Sequence, residues 1–90
     1  MTIEQDVQKM REHMERLTEL AIARYSGAYD QYGSFEDYPP EKFLRMLGTN
    51  LVTLTIAEQG YDVIEIADQA ADCINGVLLS FMSWMHEKEK

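Results

Sequence analysis

Two aspartates one helical turn apart, Asp68 and Asp72, are the residues of this sequence whose spacing best suits chemistry. Side chains at positions i and i+4 of a helix lie on one face, so both carboxylates can approach the same ion. Oxygen ligands of this kind suit Mg²⁺, which usually keeps several of its waters. The spacing predicts either a site for a divalent cation or a pair of solvated acids.

The helical wheel around this pair favours a sheltered position. The same side of the helix carries apolar residues before and after the acids, namely Ile64, Leu79 and Met82. Because such a stripe is not typical of a solvent-exposed face, we expect the carboxylates to lie in a groove or beneath another chain. Asp68 and Asp72 are the predicted metal ligands, and the predicted ligand-binding residues beside them are Glu65, Gln69 and Asn75. The opposite side is predicted to be the packed face: Val63, Ala67, Ala70, Ile74, Val77, Phe81 and Met85.

Five aromatic residues recur every three or four positions in the segment that precedes Pro39 and Pro40: Tyr25, Tyr29, Tyr32, Phe35 and Tyr38. Aromatic rings can stack on a nucleobase, and Tyr32 and Phe35 are the predicted ligand-binding members. More often a segment of this kind packs as a lid over a small core. The sequence leaves both interpretations open and favours the lid.

The remaining reactive residues indicate no catalytic centre. His13 and His86 lack a Cys or His partner at zinc spacing, so both are predicted to be surface residues. Cys73 is the single cysteine and can form no internal disulfide. It lies at the edge of the predicted apolar face, so we expect a buried and inert thiol.

Three helices account for almost the whole chain. Helix one is predicted over 1–32, with a capping box from Thr2 to Gln5 and a possible bend at Ser26-Gly27. An aromatic connector over 33–39 leads to helix two over 40–59, with Pro40 at its first position. Helix three is predicted over 62–86, capped by Asp62, with a frayed tail after it. Helix one carries a strict heptad seam: Ile3, Val7, Met10, Met14, Leu17 and Ala21.

The helical spacing and capping signals predict an all-α fold, a small antiparallel bundle of about three helices, and the length predicts a single domain over 1–90. Hydrophobic residues make up 46% of the chain, more than a bundle of this size comfortably buries, so we expect oligomerisation to complete the fold. Leu79 and Met82 are the surplus apolar residues assigned to that interface.

The charge of the chain restricts its partners. A formal net charge of −8 opposes binding to nucleic acid or to an anionic membrane. No segment has the features of a signal peptide or of a membrane span, which predicts a cytoplasmic protein.

The sequence resembles the all-α MazG-like nucleotide pyrophosphohydrolases over roughly residues 30–85. The resemblance lies in the order of Tyr32-Gly33-Ser34-Phe35, then Pro39-Pro40-Glu41-Lys42-Phe43-Leu44, then a helix, a turn at Gly60 and the run Ile66 to Asn75. Members of that family are helical oligomers that use Mg²⁺ to cleave nucleoside triphosphates to the monophosphate and pyrophosphate.

The resemblance implies a metal site that is incomplete here. Asp72 falls at the aspartate position of the family's Glu-x-x-Asp motif, but Gln69 stands where the glutamate belongs. Helix two lacks the family's other carboxylates, with Thr49, Asn50 and Thr53 in their region. Fewer ligands weaken Mg²⁺ binding and the activation of water, so the resemblance implies nucleotide binding with little or no hydrolysis.

Two functions follow from the sequence. One is a MazG-like nucleotide-binding protein with Mg²⁺ at Asp68 and Asp72. The other is a non-enzymatic regulatory or inhibitor protein that binds a protein partner through its acidic surface. If Asp68 and Asp72 repel one another without a cation, Asp72→Asn should stabilise the metal-free protein slightly.

Overall fold

The computed structural model describes residues 1–90 and is entirely helical, without β-strands. Its elements are α1 (Ile3–Tyr32), a short 3-10 turn (Phe35–Asp37), α2 (Pro40–Gln59) and α3 (Val63–Glu89). The all-α class and the small helical bundle are therefore confirmed. No helix combines enough length with enough apolar character to cross a membrane.

Local sequence signals explain where these helices begin and end. The capping box is present, with Thr2 Oγ1 accepting from the N–H of Gln5 and the Gln5 side chain accepting from the N–H of Thr2. Pro40 opens α2, and Asp62 caps α3 by accepting from the N–H groups of Ile64 and Glu65.

The structure decides one open alternative at a helix boundary and differs from the prediction at another. Ser26-Gly27 does not interrupt α1, which ends at Gly33, a glycine with a φ of 79° that few other residues adopt. α3 continues to Glu89, beyond the predicted end at 86, because the charged tail adds one more helical turn.

α3 is the central helix of the bundle. Leu47 lies against Gly76, and Asn50 donates to the carbonyl of Asp72, so α2 runs antiparallel to α3. The C-terminal ends of α1 and α3 lie at the same end of the molecule, where the Ser83 hydroxyl donates to the carbonyl of Tyr38 at 2.6 Å. The backbones of α1 and α2 do not approach one another within 8 Å, so each is held by α3.

The inward face of α3 is made mostly of small side chains. Only ten of the 90 residues are buried, and six of them belong to this helix: Ala71, Cys73, Gly76, Leu79, Ser80 and Ser83. Small side chains allow neighbouring helices to approach closely. The core is correspondingly thin.

The face of α3 predicted to be packed is exposed at both ends, while its middle residues Ala67, Ala70 and Ile74 are half-buried. Val63 and Phe81 are 76% and 58% exposed, and the sequence-based assignment of this face to the core of the chain is wrong. The small and polar side occupies the contacts with α1 and α2, so the large apolar side chains point away from both. We call the exposed C-terminal part of this stripe the outer face of α3: Val77, Leu78, Phe81, Trp84 and Met85.

The heptad seam of α1 is also largely uncovered within the chain. Residues 1–16 are all exposed, and the seam first meets α3 at the half-buried Leu17 and the buried Ala21. We call residues 3–16 the α1 arm. Leu79, predicted to be available to another chain, is instead 7% exposed inside the core, while Met82 is half-buried. Leu79 is therefore unsuited to probing association.

The close contact between Gly76 and Leu47 predicts that alanine at position 76 destabilises the protein. A Cβ built on Gly76 would lie 2.9 Å from the Leu47 Cβ and 3.1 Å from its Cα, so Gly76→Ala must separate the helices. We expect the free energy of unfolding to fall by about 1–3 kcal/mol, although alanine is the better helix former. Gly48→Ala is the matched control, because nothing lies within 4 Å of its Cβ position. That variant should gain about 0.5–1 kcal/mol in urea unfolding, and equal effects at the two sites would contradict the packing described.

Candidate functional site

The carboxylate of Asp72 is bound by a guanidinium from another helix. Arg24 of α1 donates from Nε to Asp72 Oδ1 at 2.6 Å and from Nη2 to Oδ2 at 2.8 Å. Two parallel bonds of this kind match the planar fork of arginine to the two carboxylate oxygens and are stronger than neutral hydrogen bonds. One of the two predicted metal ligands, Asp72, is therefore paired within the chain.

Asp68 lies at the edge of the same contact. Its Oδ1 is 3.8 Å from Arg24 Nη1, and its side chain is more exposed than that of Asp72. The hydrogen bonds that Arg24 donates to Asp72 raise the pKa of Arg24, and the charges of both aspartates add to this, while partial burial acts in the opposite direction. Arg24 is consequently a fixed positive charge between the two acids.

The sequence signal for this contact is the position of Arg24 on the heptad seam of α1. Arg24 is the next member of the heptad seam after Leu17 and Ala21, so it faces the same neighbour as the seam. A side chain on a helix reaches back toward the N-terminus, which carries this guanidinium to the acids of α3. A charged residue on an apolar seam indicates a charged partner on the opposing helix.

Asn75, a predicted ligand-binding residue, has a structural role. Its Nδ2 donates to the carbonyl of Ala21 at 2.9 Å, which ties α3 to α1 one turn from the ion pair. Asn50 Nδ2 donates to the carbonyl of Asp72 at 3.3 Å from the other side. Amides from two helices thus brace the segment that carries the acids.

The structure brings only some of the predicted site residues together. Glu65 is exposed and Gln69 is half-buried, both on the side of α3 that carries Asp68 and Asp72. Tyr32 and Phe35 lie at the other end of the bundle, where the ring of Phe35 packs edge-to-face on His86 at 6.1 Å. At a rise of 1.5 Å per residue, the stretch of α3 from Asp68 to His86 is about 27 Å long.

The aromatic connector behaves as a cover over the end of the bundle. The hydroxyl of Tyr25 accepts from the N–H of Phe35 at 3.1 Å, and Tyr38 stacks edge-to-face on Phe43. His86, predicted to be a surface residue, is half-buried beneath Phe35, whereas His13 is exposed. Phe35 and Tyr38 thus cover the end of the bundle, whereas Tyr29 and Tyr32 are 48% and 58% exposed.

The donor set at Asp68 and Asp72 is small. No group of three or more His, Cys, Asp or Glu side chains converges on a point where an ion would fit. A cation at this position would also have to displace the guanidinium of Arg24 from Asp72. What the arrangement does chemically is to fix α1 on α3 through charge-assisted hydrogen bonds.

Cys73 is buried beside this contact. It is 9% exposed on the inward face of α3. Burial raises the pKa of the Cys73 thiol, and the negative charge of Asp72 raises it further. The expected buried thiol is therefore present, on a different face of α3 from the one predicted to be packed.

Comparison with protein-family models, with curated proteins and with solved structures finds no match to this chain. The likeness to the MazG-like proteins rests on the residues quoted from the sequence. The pair of Arg24 and Asp72 is the shortest polar contact between two helices of the chain.

The ion pair reverses the expected effect of Asp72→Asn. An asparagine can accept only one of the two bonds and carries no charge, so we expect the variant to lose about 1 kcal/mol of stability rather than gain any. Asp68→Asn is the matched control and should cost less, because its contact is longer and more exposed. Urea unfolding of the metal-free protein measures both. Stabilisation by Asp72→Asn would show that the two acids repel one another without compensation from Arg24.

The burial of Cys73 predicts slow modification. Since its pKa is raised, little thiolate is present at neutral pH, and the labelling rate should rise as the pH increases. We expect the native protein to react with a thiol reagent at least about tenfold more slowly than the unfolded chain. Ser26→Cys in a Cys73→Ala background places a thiol on an exposed position of α1 and should react rapidly. Equal rates for the two native proteins would show that α3 is open at Cys73.

Proposed function

We propose that this protein is a non-enzymatic helical interaction protein, which acts by binding other chains, including copies of itself, through the outer face of α3. The observation that carries the proposal is the exposure of large apolar side chains on one stripe of the central helix. Phe81 and Trp84 are 58% and 46% exposed, and Val77, Leu78 and Met85 accompany them. A contiguous apolar stripe on a soluble domain is typical of a protein-binding surface.

The energetics of burial support this function. Complete burial of a Val, Leu, Phe or Met side chain contributes about 1.5–3 kcal/mol, so this face offers more apolar stabilisation than any other part of the surface of α3. The inward face of α3 consists mostly of small side chains, so it buries little apolar area within the isolated chain. Binding of another helix would complete the core that three helices leave thin.

The charge distribution restricts which protein surfaces fit. The chain has 16 acidic and 8 basic residues, and α1 places Glu12, Glu15 and Glu19 on exposed positions. An acidic surface favours partners with basic side chains around an apolar centre. Binding among copies of the chain requires instead that acidic and basic side chains meet in pairs.

Nucleotide binding with Mg²⁺ at Asp68 and Asp72 is the second candidate. Two carboxylates on one face and one nearby guanidinium, Arg24, form a donor set that suits a metal and a phosphate group respectively. Against this, Asp72 and Arg24 already neutralise one another. A rise in melting temperature that requires both Mg²⁺ and a deoxynucleoside triphosphate, and that is lost in Asp72→Asn, would favour this function over the first.

The proposed interaction surface is tested by one pair of variants. Phe81→Glu introduces a charge on the outer face of α3, whereas Ile22→Glu introduces the same charge on α1 at an equally exposed position, 58% for each residue. We expect size exclusion with light scattering to show an assembly larger than the monomer for the unaltered protein. Phe81→Glu should reduce it, because an ionised side chain resists burial, while Ile22→Glu should leave it unchanged.

Circular dichroism provides the folding control, since both side chains are exposed and the helix content should be the same. An unaltered protein that remains a monomer at micromolar concentration would contradict self-association through this face. Equal loss of assembly in the two variants would show that the added charge, and not the outer face, is responsible.

A further inference from the structure

We propose that the α1 arm binds the α1 arm of a second copy of the chain, with the two helices antiparallel. This inference rests on the proposed function in one respect only, that the protein associates with its own copies. It concerns a different surface, the seam residues Ile3, Val7, Met10 and Met14, which are 74%, 36%, 62% and 60% exposed. A seam with strict heptad spacing is complementary to another seam of the same kind.

The position of α3 decides the direction of the second helix. From Leu17 onward, α3 covers the same face of α1 that the seam occupies. In a parallel pair, both copies would place an α3 at the same level between the two α1 helices. In an antiparallel pair, the two bodies lie at opposite ends, and the arms can meet without competing with α3.

The apolar residues fix the register of the antiparallel pair. Setting Val7 opposite Met10 of the second copy also sets Ile3 opposite Met14, and the two-fold symmetry repeats both layers. The overlap then spans residues 3–14, all of which are exposed. Each N-terminus reaches the point where the contact of α1 with α3 begins in the other copy.

The charges beside the seam support this register. Glu4 and Arg11 flank one side of the seam, and Asp6 and His13 flank the other. In this register Glu4 faces Arg11 of the second copy, which forms an attractive pair of opposite charges, and Asp6 faces His13. A shift by one heptad would instead set Arg11 opposite Arg11 and His13 opposite His13. The sequence thus disfavours the neighbouring register by placing like charges together.

Disulfide cross-linking tests direction and register together. Val7→Cys and Met10→Cys are made separately in a Cys73→Ala background, and the two full-length proteins are oxidised alone and as a mixture. We expect the mixture to form several-fold more cross-linked dimer than either protein alone, because only residues 7 and 10 of different copies face one another. Efficient cross-linking of each protein by itself would indicate a parallel pair, and no cross-link in any sample would refute pairing of the arms.

Charge exchange gives an independent measure on the same mixture. Glu4→Arg or Arg11→Glu in both proteins should lower the cross-linked yield, with the association constant falling at least about tenfold, since two attractive pairs become repulsive. The double exchange Glu4→Arg with Arg11→Glu should restore the yield. Glu4→Arg and the double exchange both remove the favourable acid at the helix N-terminus. If the double exchange restores the yield, the loss in Glu4→Arg comes from charge pairing and not from the helix N-terminus. A double variant as weak as the single ones would overturn the register.

The cross-linking test of the α1 arm and the test of the outer face of α3 can fail independently. Phe81→Glu tests association at the other surface and leaves the arm unaltered. If the cross-link forms in that variant, the arm proposal stands by itself. If Phe81→Glu reduces the assembly of the unaltered protein while the mixture of Val7→Cys and Met10→Cys gives no cross-link, the proposed function stands and the arm proposal fails.

Discussion

Close packing of α3 on its neighbours through small side chains determines the rest of the structure. Gly76 allows the backbone of α2 to approach at Leu47, and the inward hydroxyl of Ser83 finds an acceptor in the carbonyl of Tyr38. Leu79 is the one large aliphatic side chain among the buried residues of α3, and the others are small. Phe81 and Trp84 lie outside, so the helix that holds the chain together also presents an apolar surface.

The attachment of α1 follows a different principle. Its backbone does not approach α2, and its contact with α3 combines the small apolar residue Ala21 with two polar anchors, the Arg24 ion pair and the hydrogen bond from Asn75. Such anchors specify position more than they add stability, because desolvation of the charged groups offsets much of their attraction. The arm that precedes this contact is left without a neighbour.

Local signals allowed the helices to be predicted, whereas the faces they bury required knowledge of the neighbours. The capping residues Thr2 and Asp62 act over three or four positions, so the sequence shows them directly. The amphipathic pattern of α3 identifies its apolar face but does not show whether that face packs on the rest of the chain. The prediction that Phe81 packs in the core of the chain failed for that reason.

The candidate site was predicted only in part, because one of its residues lies on another helix. Placing Asp68 and Asp72 on one face requires only helical spacing, and both residues are half-buried. Arg24 is 48 positions from Asp72 in the sequence, so no local pattern pairs them. Its location on the seam of α1 was the available clue, because a buried seam accepts a charge only when an opposing charge meets it.

A net charge of −8 restricts how the exposed apolar surfaces can associate. Repulsion among acidic chains opposes indiscriminate contact between their exposed apolar faces, so association is favourable only where acidic and basic side chains alternate in register. The α1 arm has that alternation, with Glu4 and Asp6 near its start and Arg11 and His13 farther along. Reversing one copy brings the acidic end of each arm to the basic part of the other. In the proposed pair, apolar area supplies the attraction, and the order of charges along the arm selects the direction in which the two copies meet.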